Sequence, residues 1–266
     1  KHPMSIRSFC DVIINYWGFN PDYLFLCGKS ITANYNSVRF GNQFDENIVP
    51  TWSVLGSDVG FTSGLKPKSI LDPCLSTGRI SVSNEYQFRN YLRKVKEYES
   101  APAEEWMKQV LHFGGGKDES EQSNYKQYLK DFESLIEDSL FGGKVHTFLK
   151  NSSDPLQINL SDSVESMINS GVSLMTFFGH AYAQNFDQSI DDPENYENTG
   201  KYPFILANSC LVGNIHTNGT NSGSEQFVLA ENKGSIGFLG SSSLGVPYYL
   251  YRYSREFYKN LSQDYY

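Results

Sequence analysis

Two periodicities of apolar and polar positions alternate along the chain. "MSIRSFCDVIINYWG" carries Ile6, Phe9, Ile13 and Ile14 at helical spacing with Gly18 at its end, which predicts an amphipathic helix with a glycine stop. "PDYLFLCG" then reads as a compact apolar strand ending at Gly28. From Ser30 to Lys68 the chain is rich in Asn, Ser and Gly and reads as a long loop region with short strands. "TGRISVS" is a short strand, followed by a helix with Ser83 as N-cap, Tyr86 at its third position, and Lys94, Lys96 and Glu97 on its solvated face. "WMKQVLHFGGG" is a strand running into glycines, and "DESEQ" an acidic loop. A helix follows in "YKQYLKDFESLIEDSLFGG", with Leu129, Phe132, Leu135, Ile136 and Leu140 as its stripe. The remainder repeats the theme: strand "KVHTFL", helix "SDSVESMINSG", strand "VSLMTFFGH", an Asp/Asn/Glu-rich loop from Tyr182 to Lys201, strand "YPFILANSC", helix "SEQFVLAENKG" and strand "SIGFLGSSS". The closing "YYLYRYSREFYKN", taken as a helix, puts Tyr249, Tyr253 and Phe257 on one face for packing.

Strands separated by helices argue an α/β fold: a mostly parallel central sheet with helices on both faces. Binding sites in such sheets form beyond the carboxyl ends of the strands. Two consecutive strands end on chemically useful residues, one on Gly179-His180 and the next on Ser209-Cys210. Consecutive strands are usually spatial neighbours, so the imidazole and the thiol are expected to face each other. A thiol is a nucleophile as thiolate, and a nearby histidine promotes that form. Gly179 permits close backbone approach before the histidine, and Gly213 keeps the chain after the thiol small. Amide N–H groups at the two strand ends are candidates to stabilise an oxyanion.

Composition narrows the function classes. The chain has 266 residues, 39% of them hydrophobic and 15% aromatic, enough for a substantial core in one large domain or two small ones. A formal net charge of −8 and no dense Lys/Arg cluster argue against nucleic-acid binding. No apolar run approaches the ~20 residues of a membrane helix, and the opening residues do not read as a signal peptide. Its start at Lys1 is expected to be the cut edge of a longer protein. The four cysteines match no metal-binding spacing, and the sequence leaves open a disulfide among Cys10, Cys27 and Cys74. Cys10 and Cys27 read as small buried hydrophobes.

The ordered series of motifs, more than any single one, resembles the gingipain-type cysteine peptidases of clan CD, family C25, over Met4 to about Tyr258. "HPMSIRSFC…NPDYLFLCGKS", "LSTGRISVSNEYQFRNYLRKVKEYE", "INSGVSLMTFFGHA" and "GKYPFILANSCLVGN" are similar to that family's opening helix and strand, its second strand and helix, its histidine strand and its cysteine strand. The resemblance implies a caspase-like α/β fold over residues 1–266, with a division into 1–100 and a catalytic 101–266 kept open. It implies Cys210 as nucleophile, His180 as general base or acid, and the amides of Ala181 and Cys210 in an oxyanion hole, with Gly179, Ser209 and Gly213 lining the site. It implies polypeptide substrates, no organic cofactor, and export in a Bacteroidetes-type bacterium to the periplasm, outer membrane or cell surface. "PFILANSC" with "ENKGSIGFLGSSSLG" looks closest to the type IX secretion sortase (PorU-like) branch, which would make secretion components its partners.

Departures from the pattern are specific. The family's glycine after the histidine is Ala181, and its histidine-supporting acid aligns nearest Lys117, leaving Asp118 or Glu119 to orient His180. No acid in Asn124–Lys130 matches an arginine-selecting position. These departures motivate an alternative, a catalytically degraded domain that binds exported cargo. Asp58 and the acidic "QSIDDPENYEN" stretch are weak candidates for Ca²⁺ by their hard oxygen ligands, though an ordinary solvated loop explains the latter. His112 and His146 read as core or rim histidines, and His216, six residues past Cys210, as a loop residue that could line the site.

Overall fold

The computed structural model describes residues 1–17, 21–32, 45–53, 56–65, 68–137, 140–151, 161–181, 186–187, 192–218 and 222–263. They form two compact units, Lys1–Arg89 with Ile215–Thr220, and Asn90–Asn214 with Asn221–Tyr266.

In the first unit, helix α1 (Pro3–Tyr16) starts on Pro at its first position, with His2 accepting from the Met4 amide as cap. Cys10 is buried on its inner face, as expected, whereas Phe9 is 59% exposed. Strands β1 (Tyr23–Cys27) and β2 (Ser76–Ile80) pair in parallel. Cys27, expected inside, is exposed, because strand alternation puts it on the same side as Tyr23 and Phe25. Arg79 of β2 organises the surrounding loops. It donates to both Asp58 oxygens at 2.6 and 2.9 Å and to the carbonyls of Gly28, Val49 and Pro50. Planar and always charged, the guanidinium satisfies several carbonyls that would otherwise lie buried and unpaired. His216 is buried here against Gly56, bonded through Nδ1 to the Ser30 hydroxyl.

Helix α2 (Glu85–Ser100) begins one residue later than its sequence suggests. Asn84, in place of Ser83, caps it by accepting from Gln87 N at 3.0 Å, while Gln87 accepts from Ser83 N. Lys94 is not on a solvated face: it is fully buried, donating to the carbonyls of Val228, Ala230, Lys233 and Ser235.

The second unit then runs β3 (Gln109–Gly114), α3 (Glu119–Glu137), β4 (Lys144–Leu149), α4 (Ser161–Ser170), β5 (Leu174–Phe178), β6 (Phe204–Asn208), α5 (Gly223–Leu229), β7 (Gly237–Gly240) and α6 (Pro247–Gln263). Its five strands form a parallel sheet in the order β4-β3-β5-β6-β7. Alternation along the strands feeds two cores. Leu111, Phe113, Met175, Phe177, Ile205 and Ala207 pack with Val164 and Ile168 of α4 and Phe227 of α5. Val110, Leu174, Phe178 and Leu206 pack with Leu129, Phe132 and Ile136 of α3 and Tyr258 of α6. Helices therefore cover both faces, as the α/β reading expected, and β5 is buried along its whole length. Within the second core, His112 and Thr176 both bond the Tyr258 hydroxyl, at 2.8 and 2.6 Å. On α6 the inward stripe is Ser254, Tyr258 and Ser262; Tyr249 and Tyr253, expected to pack, are 69% and 61% exposed.

Candidate active site

The ends of β5 and β6 are tied by register. Phe178 stands opposite Asn208, and the ladder continues one step further, with Gly179 N donating to Asn208 O at 3.2 Å. His180 and Cys210 each lie two residues past that last pair, on strands spaced about 4.8 Å apart. The two residues that the sequence singled out thus follow the ends of neighbouring strands, at the carboxyl edge of the sheet.

Behind the imidazole stands Glu121. His180 Nε2 donates to Glu121 Oε2 at 2.8 Å, and the Lys117 amide and ammonium donate to the same carboxylate at 3.1 and 3.0 Å. Burial alone would raise the Glu121 pKa, but the bonds from His180 and Lys117 outweigh it and hold the carboxyl down to about 2. With Nε2 committed, Nδ1 is the ring nitrogen left for proton exchange. The Tyr125 ring meets the imidazole edge-on at 6.3 Å.

This corrects the expected supporting acids. Asp118 caps α3, accepting from Glu121 N at 3.0 Å, and Glu119 is exposed. "DESEQ" is the first turn of that helix, not a loop. Asp118-x-x-Glu121 is a cap-and-third-position pattern, the signal that would have found Glu121. Lys117, which stood where the family has its acid, serves as Glu121's ion-pair partner.

Around the thiol the backbone is tightly wound. Cys210 Sγ accepts from Gly245 N at 3.3 Å. Leu211 takes φ +60°, a left-handed conformation costly for a branched side chain and typical of strained functional turns. Gly213 is a glycine because a Cβ there would lie 2.4 Å from the Gly240 carbonyl, so it serves close strand-end packing, not an open edge. Ser209 is buried, and its hydroxyl has no hydrogen-bond partner among the described residues. Gly179 has its amide in the ladder, and Ala181 is buried in an isolated antiparallel bridge to Phe186. All four cysteines are free thiols.

The remaining candidates lie elsewhere. Asp58 and His216 belong to the first unit, Asp58 with both oxygens on Arg79. Residues 188–191 of the acidic stretch lie outside the described residues; Asp192 caps the turn Pro193–Asn195. Among the described residues no three His, Cys, Asp or Glu side chains gather to hold a metal ion. His146 bonds Gln109 at the sheet edge.

The model of peptidase family C25 matches residues 1–266, the whole chain. Among solved structures, the Arg-specific cysteine proteinase gingipain R (RgpB) is similar at TM-score 0.75 and 15% identity, covering 99% of this chain and 58% of that one. The complex of the pro- and mature domains of RgpB from Porphyromonas gingivalis gives TM-score 0.75 at 15% identity, over 98% and 59%. A third structure, described only as a protease, gives 0.70 at 18% over 95% and 52%. At these identities the likeness is one of fold, and the chain spans between 52% and 59% of the proteins it matches. No curated protein matches the chain.

Proposed function

Because the chain belongs to peptidase family C25, we propose that it cleaves peptide bonds with Cys210 as nucleophile and His180 as proton shuttle. The observation that supports this is the shared register of β5 and β6, which ends the two neighbouring strands on these residues, with Glu121 bonded to the imidazole. In the proposed cycle His180 Nδ1 takes the Cys210 proton. The thiolate attacks the substrate carbonyl carbon, and its π electrons move to oxygen. Amides at the strand ends, Ala181 and Cys210, receive that oxyanion. The tetrahedral adduct collapses, the C–N bond breaks, and the imidazolium protonates the departing amine. The resulting thioester is opened by water or by an acceptor amine, with His180 removing its proton.

The substrate class is polypeptide. "PFILANSC" and "ENKGSIGFLGSSSLG" support a sortase of exported proteins in type IX secretion, at the periplasmic or outer surface, with secretion components as partners. No helix among the described residues is long and apolar enough to cross a membrane. The alternative is a degraded cargo-binding domain, motivated by Ala181 and Lys117; the Glu121 carboxylate on His180 Nε2 weighs against it.

The test is alkylation of Cys210 followed by mass spectrometry against pH, in wild type and His180→Ala, with cleavage of exported-protein peptides alongside. A fast reaction well below the ~8.5 of a free thiol, lost in His180→Ala, is expected, and Cys210→Ala should cleave nothing. Slow alkylation indifferent to His180 would refute the proposal. Adding candidate amines and looking for conjugates separates the sortase from a plain hydrolase.

A further inference from the structure

A second acid lies beneath the site, and the cycle above gives it no part. Asp187 is 5% exposed. Its amide donates to the His180 carbonyl at 2.9 Å, and its Oδ2 accepts from Gly116 N at 3.0 Å. The buried ammonium of Lys150 lies 3.7 Å from Oδ2, and Lys150 is itself fixed at the end of β4 by its amide bond to Gly114 O. Two glycines make room for the carboxylate: a Cβ on Gly115 would fall 2.1 Å from Oδ1, and one on Gly179 2.8 Å from it. Among the described residues Oδ1 has no hydrogen-bond partner.

Asp187 therefore joins the turn behind Glu121 to the strand end that carries His180, its carboxylate bonded to Gly116 N and seated against Gly179, its main-chain amide on the His180 carbonyl. On one side the carboxylate holds the Gly116–Lys117 turn, whose Lys117 amide and ammonium fix Glu121. On the other it lies against Gly179, the residue before His180, while the Asp187 main-chain amide holds the His180 carbonyl. Burying a charged pair here costs desolvation that apolar packing would avoid, so a stability role explains it poorly. Burial pushes the Asp187 carboxyl up, while the Gly116 amide, Lys150 and His180 pull it back toward the anion. The groups facing His180 are Glu121 and Tyr125 of α3, and Asp187 with Lys150 behind it; Cys210 ends the neighbouring strand.

We infer that Asp187, paired with Lys150, is a positioning residue that sets His180 and the Glu121 turn in one geometry and favours the imidazolium that accompanies thiolate formation. The inference rests on the catalytic reading of His180 and Cys210.

Its test is a double-mutant cycle on the alkylation rate of Cys210, using iodoacetamide on the full chain. Asp187→Asn is expected to slow alkylation about tenfold when His180 is present and to have no effect in His180→Ala, since a residue acting through another couples to it. Thermal melting accompanies each variant. If Asp187→Asn does not fold, Asp187→Asn with Lys150→Met leaves no buried unpaired charge and takes its place in the cycle. Equal losses in both backgrounds, or no loss in either, would overturn the inference. Wild type and His180→Ala reacting alike would overturn the catalytic reading itself, and this inference with it.

Discussion

His180 and His216 flank the same cysteine in sequence and live in opposite surroundings. His180 has its side chain 44% exposed, with Nε2 on a carboxylate that stays anionic down to about pH 2. His216 is 4% exposed, and its Nδ1 meets the neutral hydroxyl of Ser30. Burial leads the causes that push His216 down to about 4, with Arg79 and Lys29 adding to it against Asp58, so it is neutral at physiological pH. A proton shuttle must accept a charge and reach the reacting atoms, and only the first environment permits both. His112 repeats the second case: it is fully buried against Tyr258, and burial holds it down to about 3. Proximity in sequence to a nucleophile is thus a poor guide to function, and the polarity of what stands behind the ring a better one.

The comparison breaks most sharply under alanine. His180→Ala should lower Cys210 alkylation near neutral pH by about 100-fold or more while leaving melting nearly unchanged. His216→Ala should do the reverse, costing about 2–4 kcal/mol of stability through the cavity left against Gly56, with alkylation unaltered. A fall in alkylation with His216→Ala in folded protein would refute the distinction. Glu121→Gln comes next. It keeps a hydrogen-bond acceptor but removes the charge that favours imidazolium, and a loss of about tenfold is expected, restored by Glu121→Asp only if the shorter side chain still reaches Nε2. An unchanged rate would mean that the carboxylate is structural.

Much of the fold was legible because the pattern is local. Each strand of the five-stranded sheet, and the ends carrying His180 and Cys210, followed from apolar runs punctuated by glycine. What failed depended on distant partners. Lys94 sits beside Lys96 and Glu97 on a charged helix and reads as solvated, yet the carbonyls that bury it come from residues 134 to 141 positions away. Glu121 is hidden differently: a cluster of acidic residues suggests a loop, although Asp118 followed at three by Glu is how this helix begins. Tyr249 and Tyr253 were misplaced because a helix rich in aromatic residues offers more than one apolar face, and packing against α3 selects the one through Tyr258. The acid under the site, Asp187, lay within a stretch whose acidic composition says nothing about which carboxylate turns inward.

A smaller effect sharpens the contrast at His216. Ser30→Ala removes the hydroxyl from Nδ1 and should cost about 1 kcal/mol, read by denaturant melting, with no change at Cys210.

The smallest effect separates the two environments by pH alone. His216 has a folded value near 4, below the 6.5 of the unfolded chain. Between those values the unfolded state binds more protons, so its contribution is fully present above about pH 6.5 and is lost as pH falls toward 4. Glu121 is depressed from 4.5 to about 2, so its contribution is present above pH 4.5 and fades only as pH falls through 2. Its carboxylate is partly exposed and salt-screened, which makes this second slope shallow. His112 titrates across an overlapping range and adds to the first window, so the two must be separated by difference. Subtracting the melting curves of His216→Gln from wild type should leave a slope across pH 4–6.5, and Glu121→Gln one that includes pH 2–4.5. A Glu121 difference with no slope between pH 2 and 4.5 would mean that its carboxylate is not held by His180 and Lys117, and the contrast between the two histidines would lose its electrostatic basis.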